Sequence, residues 1–197
     1  MSTQPPDEIN LETGDGLSLS RLLLPIQPDD HVQGPTSARL TLVEYGDYEC
    51  PACGSLFLTI RQLHQQLAGD VRIVYRHYPF SGRHPHAQLA AEAAEAAGAQ
   101  GKFWEMHDLL FEHQSALEQK HLLAYAQQLA LDLNSFRKAL KDRTFEQCVR
   151  DDFKRGVANG VYGTPGLFVN GIRHDGTLDA QSILGKLKKG TDGTDDF

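Results

Sequence analysis

The residues best suited to chemistry are two cysteines set as Cys50-Pro51-Ala52-Cys53. A thiol attacks a disulfide only as its thiolate, and at an ordinary pKa of about 8.5 only about 3% is ionised at neutral pH. A helix beginning at Cys50 would aim unpaired backbone N–H groups and the positive end of its dipole at the sulfur. Lowering the pKa by about two units takes about 2.7 kcal/mol. The dipole supplies up to about 2 of this, and N–H···S contacts the remainder. Pro51 suits the first turn, where its missing N–H would have had no partner. Cys53 then falls on the same helix face, within disulfide reach. This arrangement predicts that Cys50 attacks and Cys53 resolves the mixed disulfide.

Cys53 starts as a thiol, so resolution needs a base. Glu44 is the candidate: a carboxylate in a strand otherwise rich in Leu and Val has its pKa raised by burial. The other reading of Glu44 is a solvated acid at a strand end. A second signal is Gly163-Thr164-Pro165, just before a strand, where proline has no N–H for a ladder. A cis Thr164–Pro165 bond would expose the Thr164 backbone to an extended substrate strand; a plain trans turn is the alternative. The Cys pair has another use, as half of a zinc site, but no second CxxC and no histidine stand at the usual spacing.

Other residues carry weaker signals. Cys148 reads as a small, half-buried packing residue. His84 and His86 flank Pro85 and suit an exposed loop or local hydrogen bonding better than a metal pair. Trp104, with Phe103 and Phe111, reads as helical core. Tyr48 and Phe57 could offer apolar contact to an unfolded substrate. No metal site and no cofactor are expected.

These groups need a scaffold. Residues 39–45, Arg-Leu-Thr-Leu-Val-Glu-Tyr, suit a buried strand. Leu56, Leu58, Ile60, Leu63 and Leu67 give a helical stripe ending at Gly69, and Val71 to Tyr78 form a second strand closed by Pro79. Residues 39–78 therefore make a βαβ unit with the cysteines at its first strand-to-helix junction. Helices are expected over 86–99, 101–113 and 119–131, with Asn134 and Thr144 as further N-caps. Phe145, Val149, Phe153 and Val157 recur at every fourth residue, as one buried stripe would. Gly166 to Val169 reads as a strand and Asn170-Gly171 as a tight hairpin turn. Ile172 to His174 would be its partner, and 178–189 a closing helix that ends before Gly190. Residues 18–25 suit an edge strand, 26–38 a loop, and 1–17 and 190–197 mobile tails.

With 197 residues the chain has the length of one domain and needs no staples to bury a core. Lys and Arg number 19 against 26 Asp and Glu, for a net charge of −7, and no basic block stands out. Nucleic acid is excluded as a partner, because phosphate binding rests on clustered cations. The longest apolar run is the five residues Leu122 to Ala126, which excludes a membrane span of about 20. The N-terminal segment has neither the basic start nor the apolar stretch of a secretory signal. The expectation is a cytoplasmic protein, or a periplasmic or exported one if a leader has been removed.

Val43-Glu44-Tyr45-Gly46-Asp47-Tyr48-Glu49-Cys50-Pro51-Ala52-Cys53, followed by Gly160-Val161-Tyr162-Gly163-Thr164-Pro165 and Val169-Asn170-Gly171, resembles the DsbA-like branch of the thioredoxin superfamily. Arg76-His77-Tyr78-Pro79, His84-Pro85 and the Ala-rich segment through Phe103-Trp104 resemble its helical insertion. The resemblance spans about residues 18–189. It implies an α/β thioredoxin fold, β-α-β…β-β-α, with an all-helical insertion between the second and third core strands. The thioredoxin-like part would comprise 18–80 and 160–189, and the insertion 81–159. It further implies thiol–disulfide oxidoreductase activity on protein or peptide thiols and disulfides, together with an unidentified redox partner. In that reading Cys50 is the nucleophile, Cys53 the resolver, Glu44 the buried acid and Pro165 cis. Pro51, Ala52, Thr164 and Pro165 would face the substrate. DsbA itself has histidine where this chain has Ala52, and Glu49 adds negative charge beside Cys50, so a weaker oxidant than DsbA is expected. The alternative, in a different class, is a redox-responsive peptide-binding or holdase module without turnover.

Overall fold

The computed structural model describes residues 21–22, 24–67 and 69–191; the expected tail 1–17 and the end of the chain, 192–197, lie outside them. Seven residues of near-continuous apolar character form β2 (Leu40–Gly46), the central strand. Helix α1 (Pro51–Gln66) leads from it to β3 (Val71–His77), which pairs parallel to β2. This is the crossover that a strand, helix and strand in close succession impose. β1 (His31–Gln33) lies antiparallel on the outer side of β3. β4 (Gly166–Val169) and β5 (Ile172–Arg173) continue antiparallel from β2, completing the order β1-β3-β2-β4-β5. Asn170 and Gly171 both take positive φ, 48° and 75°, as a tight hairpin turn of mirror-image type requires. The Asn170 side chain also accepts the Thr41 N–H at 2.8 Å, tying the turn to β2.

Between β3 and β4 the chain is helical: α2 (Ala87–Gly98), α3 (Phe103–Glu112), α4 (Gln119–Gln128), α5 (Leu133–Lys141) and α6 (Glu146–Ala158). The closing helix α7 (Ala180–Thr191) follows β5. Alternation along the strands sends side chains to two cores. Leu42, Ile73, Leu167 and Val169 meet Leu56, Ile60 and Leu63 of α1 and Ile183 of α7. On the other face Val43, Tyr45, Val74 and Phe168 pack with Tyr78, Val161 and Phe153. A third core belongs to the insertion and runs on without a break beneath Cys50 and Cys53. α2 is buried on nearly every side. Its alanines leave room for α3, α5 and α6 to approach.

Several expectations are corrected. β1 occupies part of what reads as a loop over 26–38: three residues are too short to show an alternation. Of the edge strand over 18–25, the described residues show one bridge, Arg21 to Ile172. Asn134 lies inside α5, which is capped instead by Asp132, whose carboxylate accepts the Ser135 N–H. Thr144 stands one residue before the N-cap position, Phe145. Leu58 and Val157 are exposed because the packed faces of α1 and α6 are narrower than their apolar stripes. Helix α7 continues through Gly190 to Thr191.

Arg76 of β3 is fully buried and forms a two-pronged ion pair with Asp30, at 2.8 and 2.7 Å, while also donating to the Tyr45 hydroxyl. Removing one partner of such a pair leaves a buried charge uncompensated. Asp30→Ala is therefore expected to cost about 3–5 kcal/mol in urea denaturation. A cost below about 1 kcal/mol, the range of exposed pairs, would show that the pair does not hold the N-terminal segment to the sheet.

Candidate active site

The chain leaves β2 at Gly46 and turns into α1 through Asp47, Tyr48 and Glu49. Asp47 is buried and fixes this turn. Its carboxylate accepts the Glu49 N–H, the Phe80 N–H and a ring N–H of His84, each at 2.8 Å. Its backbone carbonyl accepts the Cys50 N–H. Cys50 thereby becomes the N-cap residue of α1, with extended backbone (φ −80°, ψ 121°) and Pro51 in the first turn. Gln114, in the turn just after α3, donates its side-chain amide to the Tyr48 and Cys50 carbonyls, both at 2.9 Å. Gly54 makes that approach possible, since a β-carbon there would lie 2.1 Å from the Gln114 amide oxygen.

Cys50 and Cys53 are both thiols in this structure. The Cys50 Sγ lies 3.5 Å from the Thr164 carbonyl oxygen, so the loop before β4 faces the attacking sulfur. The Thr164–Pro165 peptide is cis. Pro51 and Ala52 are exposed beside Cys50, and Thr164 and Pro165 are half-buried. A hydrogen bond from the Cys53 thiol lowers the Cys50 pKa to about 5. Burial opposes this, and the Thr164 hydroxyl and the N–H groups of Cys53 and Ala52 assist it. Cys53 is fully buried and held well above the ordinary thiol range, first by burial, then by its bond to Cys50 and by the charge of Glu44. The two sulfurs, one helical turn apart, are thus driven in opposite directions.

Glu44 is buried, and burial, followed by the charge of Cys50, pushes its carboxyl up to about 8. Its Oε1 has no hydrogen-bond partner among the described residues, and neither has the hydroxyl of Tyr75, the residue opposite it on β3. A β-carbon on Gly46 would lie 2.5 Å from the Tyr75 ring and 2.9 Å from Glu44 Oε1, so the site needs glycine there. Beneath the cysteines lies an aromatic bed: Tyr48 stacks on Tyr75 and Phe57 on Phe111. Tyr48 also hydrogen-bonds His107, whose imidazole burial holds down to about 3.

Some expectations about the site change. Tyr48 and Phe57 are buried, where contact with a substrate would need them exposed. The carboxylate of Glu49 takes the backbone and ring N–H groups of His86, at 2.7 and 2.9 Å, in place of standing free beside Cys50. Cys148 is exposed where half-burial is expected. The protein around it, then Glu95 and Asp152, push its thiol up to about 12. Trp104 is partly buried and donates to the Val32 carbonyl, bridging the insertion to β1. Asp47, Gln114 and Tyr75 are missed by sequence reasoning. Only Asp47 leaves a trace there, as a turn-forming residue between strand and helix.

The Thioredoxin family profile matches residues 27–189. The chain belongs to the thioredoxin family. Oxidised BdbD from Bacillus subtilis is 28% identical, with a TM-score of 0.72 over 82% of this chain and 92% of that one. Wolbachia pipientis alpha-DsbA1 shares the fold at 18% identity, with a TM-score of 0.72 over 87% of this chain and 95% of its own. These neighbours show that the chain has the thioredoxin fold in its DsbA-like form. In sequence it is also 47% identical, over 174 residues, to a Na(+)/H(+) antiporter NhaA 1 of Salinispora arenicola. That match covers 88% of this chain and 26% of the relative. The chain spans about a quarter of the length of such relatives, whose name describes the whole proteins. No described helix of this thioredoxin-family chain is long and apolar enough to cross a membrane.

The buried acid makes a testable contribution to stability. Glu44 titrates at about 8 when folded against an ordinary 4.5. Between those values the unfolded chain has released a proton that the folded protein keeps, so this group lowers stability as pH rises. Glu44→Gln is expected to be increasingly more stable than the parent as urea denaturation is carried from about pH 4.5 to about 8. A difference that does not vary with pH would contradict the burial of an ionisable carboxyl.

Proposed function

We propose that this protein exchanges disulfides with protein or peptide substrates through Cys50, with Cys53 as resolver. The observation that carries this reading is the opposed poise of the two sulfurs, Cys50 lowered to about 5 and Cys53 raised well above its ordinary value. In the oxidising direction a substrate thiolate attacks Sγ of Cys50 in the Cys50–Cys53 disulfide. A bond forms between substrate and Cys50, and the electron pair of the broken bond leaves on Cys53. Cys53 takes up a proton, with Glu44 as the buried acid that supplies it. A second substrate thiolate then attacks the substrate sulfur of the mixed disulfide, and Cys50 departs as a thiolate. The substrate is oxidised by two electrons and the Cys pair reduced. A thiol–disulfide partner must restore it.

A low-pKa Cys50 is the better leaving group, which favours this direction. The reverse sequence reduces a substrate, and Glu44 then accepts the proton that Cys53 loses before it attacks. The substrate chain would lie extended along the Thr164–Pro165 loop, in reach of backbone groups beside Cys50, with Pro51 and Ala52 as its exposed neighbours. Ala52 brings no imidazole to the Cys50 sulfur, which supports a weaker oxidant than DsbA. Glu49, the other expected cause of weakness, is held in hydrogen bonds to His86.

Three measurements test the reading. In the presence of an unfolded protein that carries disulfides, the Cys50 thiolate of reduced Cys53→Ser is expected to attack a substrate disulfide, expel one substrate sulfur as thiolate and accumulate as a mixed disulfide, and Cys50→Ser to accumulate none; the reverse pattern would overturn the roles. Turnover in insulin reduction that survives Cys50→Ser would contradict the mechanism. Equilibration with glutathione buffers is expected to give a potential more reducing than about −120 mV, the value of DsbA; a potential at or above it would refute the weaker-oxidant assignment.

A further inference from the structure

Away from the cysteines, three elements each bring one ligand-type side chain to a single point. His31 comes from β1, His77 from β3 and Glu95 from α2. His31 Nε2 lies 2.7 Å and His77 Nε2 2.8 Å from the same oxygen, Oε1 of Glu95. The three ligand atoms all fall within 4.8 Å of one another. His77 and Glu95 are buried, and His31 is half-buried, its ring stacked flat on Phe103 with centroids 3.4 Å apart. The Asp152 carboxylate holds the His77 backbone N–H at 3.0 Å, which fixes the strand behind the imidazole.

From this geometry we propose that His31, His77 and Glu95 bind a zinc-type divalent cation. Two imidazoles and a carboxylate are a set that zinc takes while leaving a fourth position open. With bonds of about 2.0–2.1 Å in tetrahedral geometry, ligand atoms stand about 3.3 Å apart. The two N···O separations must therefore widen by about half an ångström, within reach of rotation of the Glu95 side chain. Nδ1 of His77 has no hydrogen-bond partner among the described residues, so it is free to carry the ring proton when Nε2 ligates.

An entry path exists as well. Glu95 and His31 line an open pocket of about 200 Å³ together with Cys148, Asp151, Asp152 and Arg155. Its carboxylates outnumber its cations, which favours a cation over an anion. A bound ion would clip β1 and β3 of the sheet to α2 of the insertion. None of this depends on the exchange chemistry of the Cys pair.

The test uses the whole chain with Cys50 and Cys53 oxidised to their disulfide, so that they cannot compete for metal. Equilibrium dialysis against micromolar zinc chloride, followed by metal analysis, is expected to give one zinc per chain and a raised thermal midpoint. Glu95→Gln, which keeps a hydrogen-bond acceptor for both imidazoles, and His31→Ala are each expected to weaken binding by at least about tenfold, the scale on which ligand-shell changes act. Cys148→Ser is expected to keep the stoichiometry of one. A folded oxidised protein that takes up no zinc would overturn the proposal. So would binding unchanged in both Glu95→Gln and His31→Ala, or binding lost only in Cys148→Ser.

Discussion

The site depends on one placement, the sulfur of Cys50 at the N-cap of a helix. There the N–H groups of Ala52 and Cys53 have no carbonyl to bond, and the sulfur of residue 50 receives them. The same turn of helix brings the Cys53 thiol alongside. A hydrogen bond between the two sulfurs then stabilises charge on one only by keeping the proton on the other. The difference between two cysteines of one short motif thus arises from position: the first stands at the N-cap facing the Thr164 carbonyl, and the second is sealed in the core.

The rest of the fold holds that placement. Asp47 locks the turn from the strand side, and through Phe80 and His84 it ties the turn to the segment that opens the insertion. Gln114 locks it from the insertion side, bonding the carbonyl of Cys50 itself. The helical insertion is therefore part of the active-site floor, and the core beneath Cys50 and Cys53 is continuous with the core of α2 and α3. Glu44 completes the arrangement. Buried, with one oxygen unpartnered among the described residues, its carboxyl is raised to about 8, so that both forms are populated near neutrality; in the proposed mechanism the neutral form gives, and the ionised form takes, the proton of Cys53.

Much of this was legible in the sequence, for identifiable reasons. β2 and α1 could be read because a buried central strand and a one-faced helix leave strong periodic signals, and Pro51 marks the first turn. The Asn170-Gly171 turn was readable because its backbone demands those residue types. β1 was not, since its three residues are fixed by pairing with β3 and by no pattern of their own. Leu58 misled because an apolar side chain at helical spacing does not say how wide the packed face is. Gln114 and Tyr75 reach the site by folding from elements distant in the chain, and glutamine or tyrosine at those positions carries no local mark. The cluster of His31, His77 and Glu95 is hidden for the same reason, one residue from each of three elements. Glu49 is the converse case: its charge is visible in the sequence, but its pairing with His86 is not.

The most direct measurement is the ultraviolet absorbance of the Cys50 thiolate, followed through a pH titration of the reduced protein in a Cys148→Ser background. The account predicts a transition centred near 5 that is absent when Cys50 is also replaced by serine. A single transition in the ordinary thiol range, near about 8.5, would contradict it.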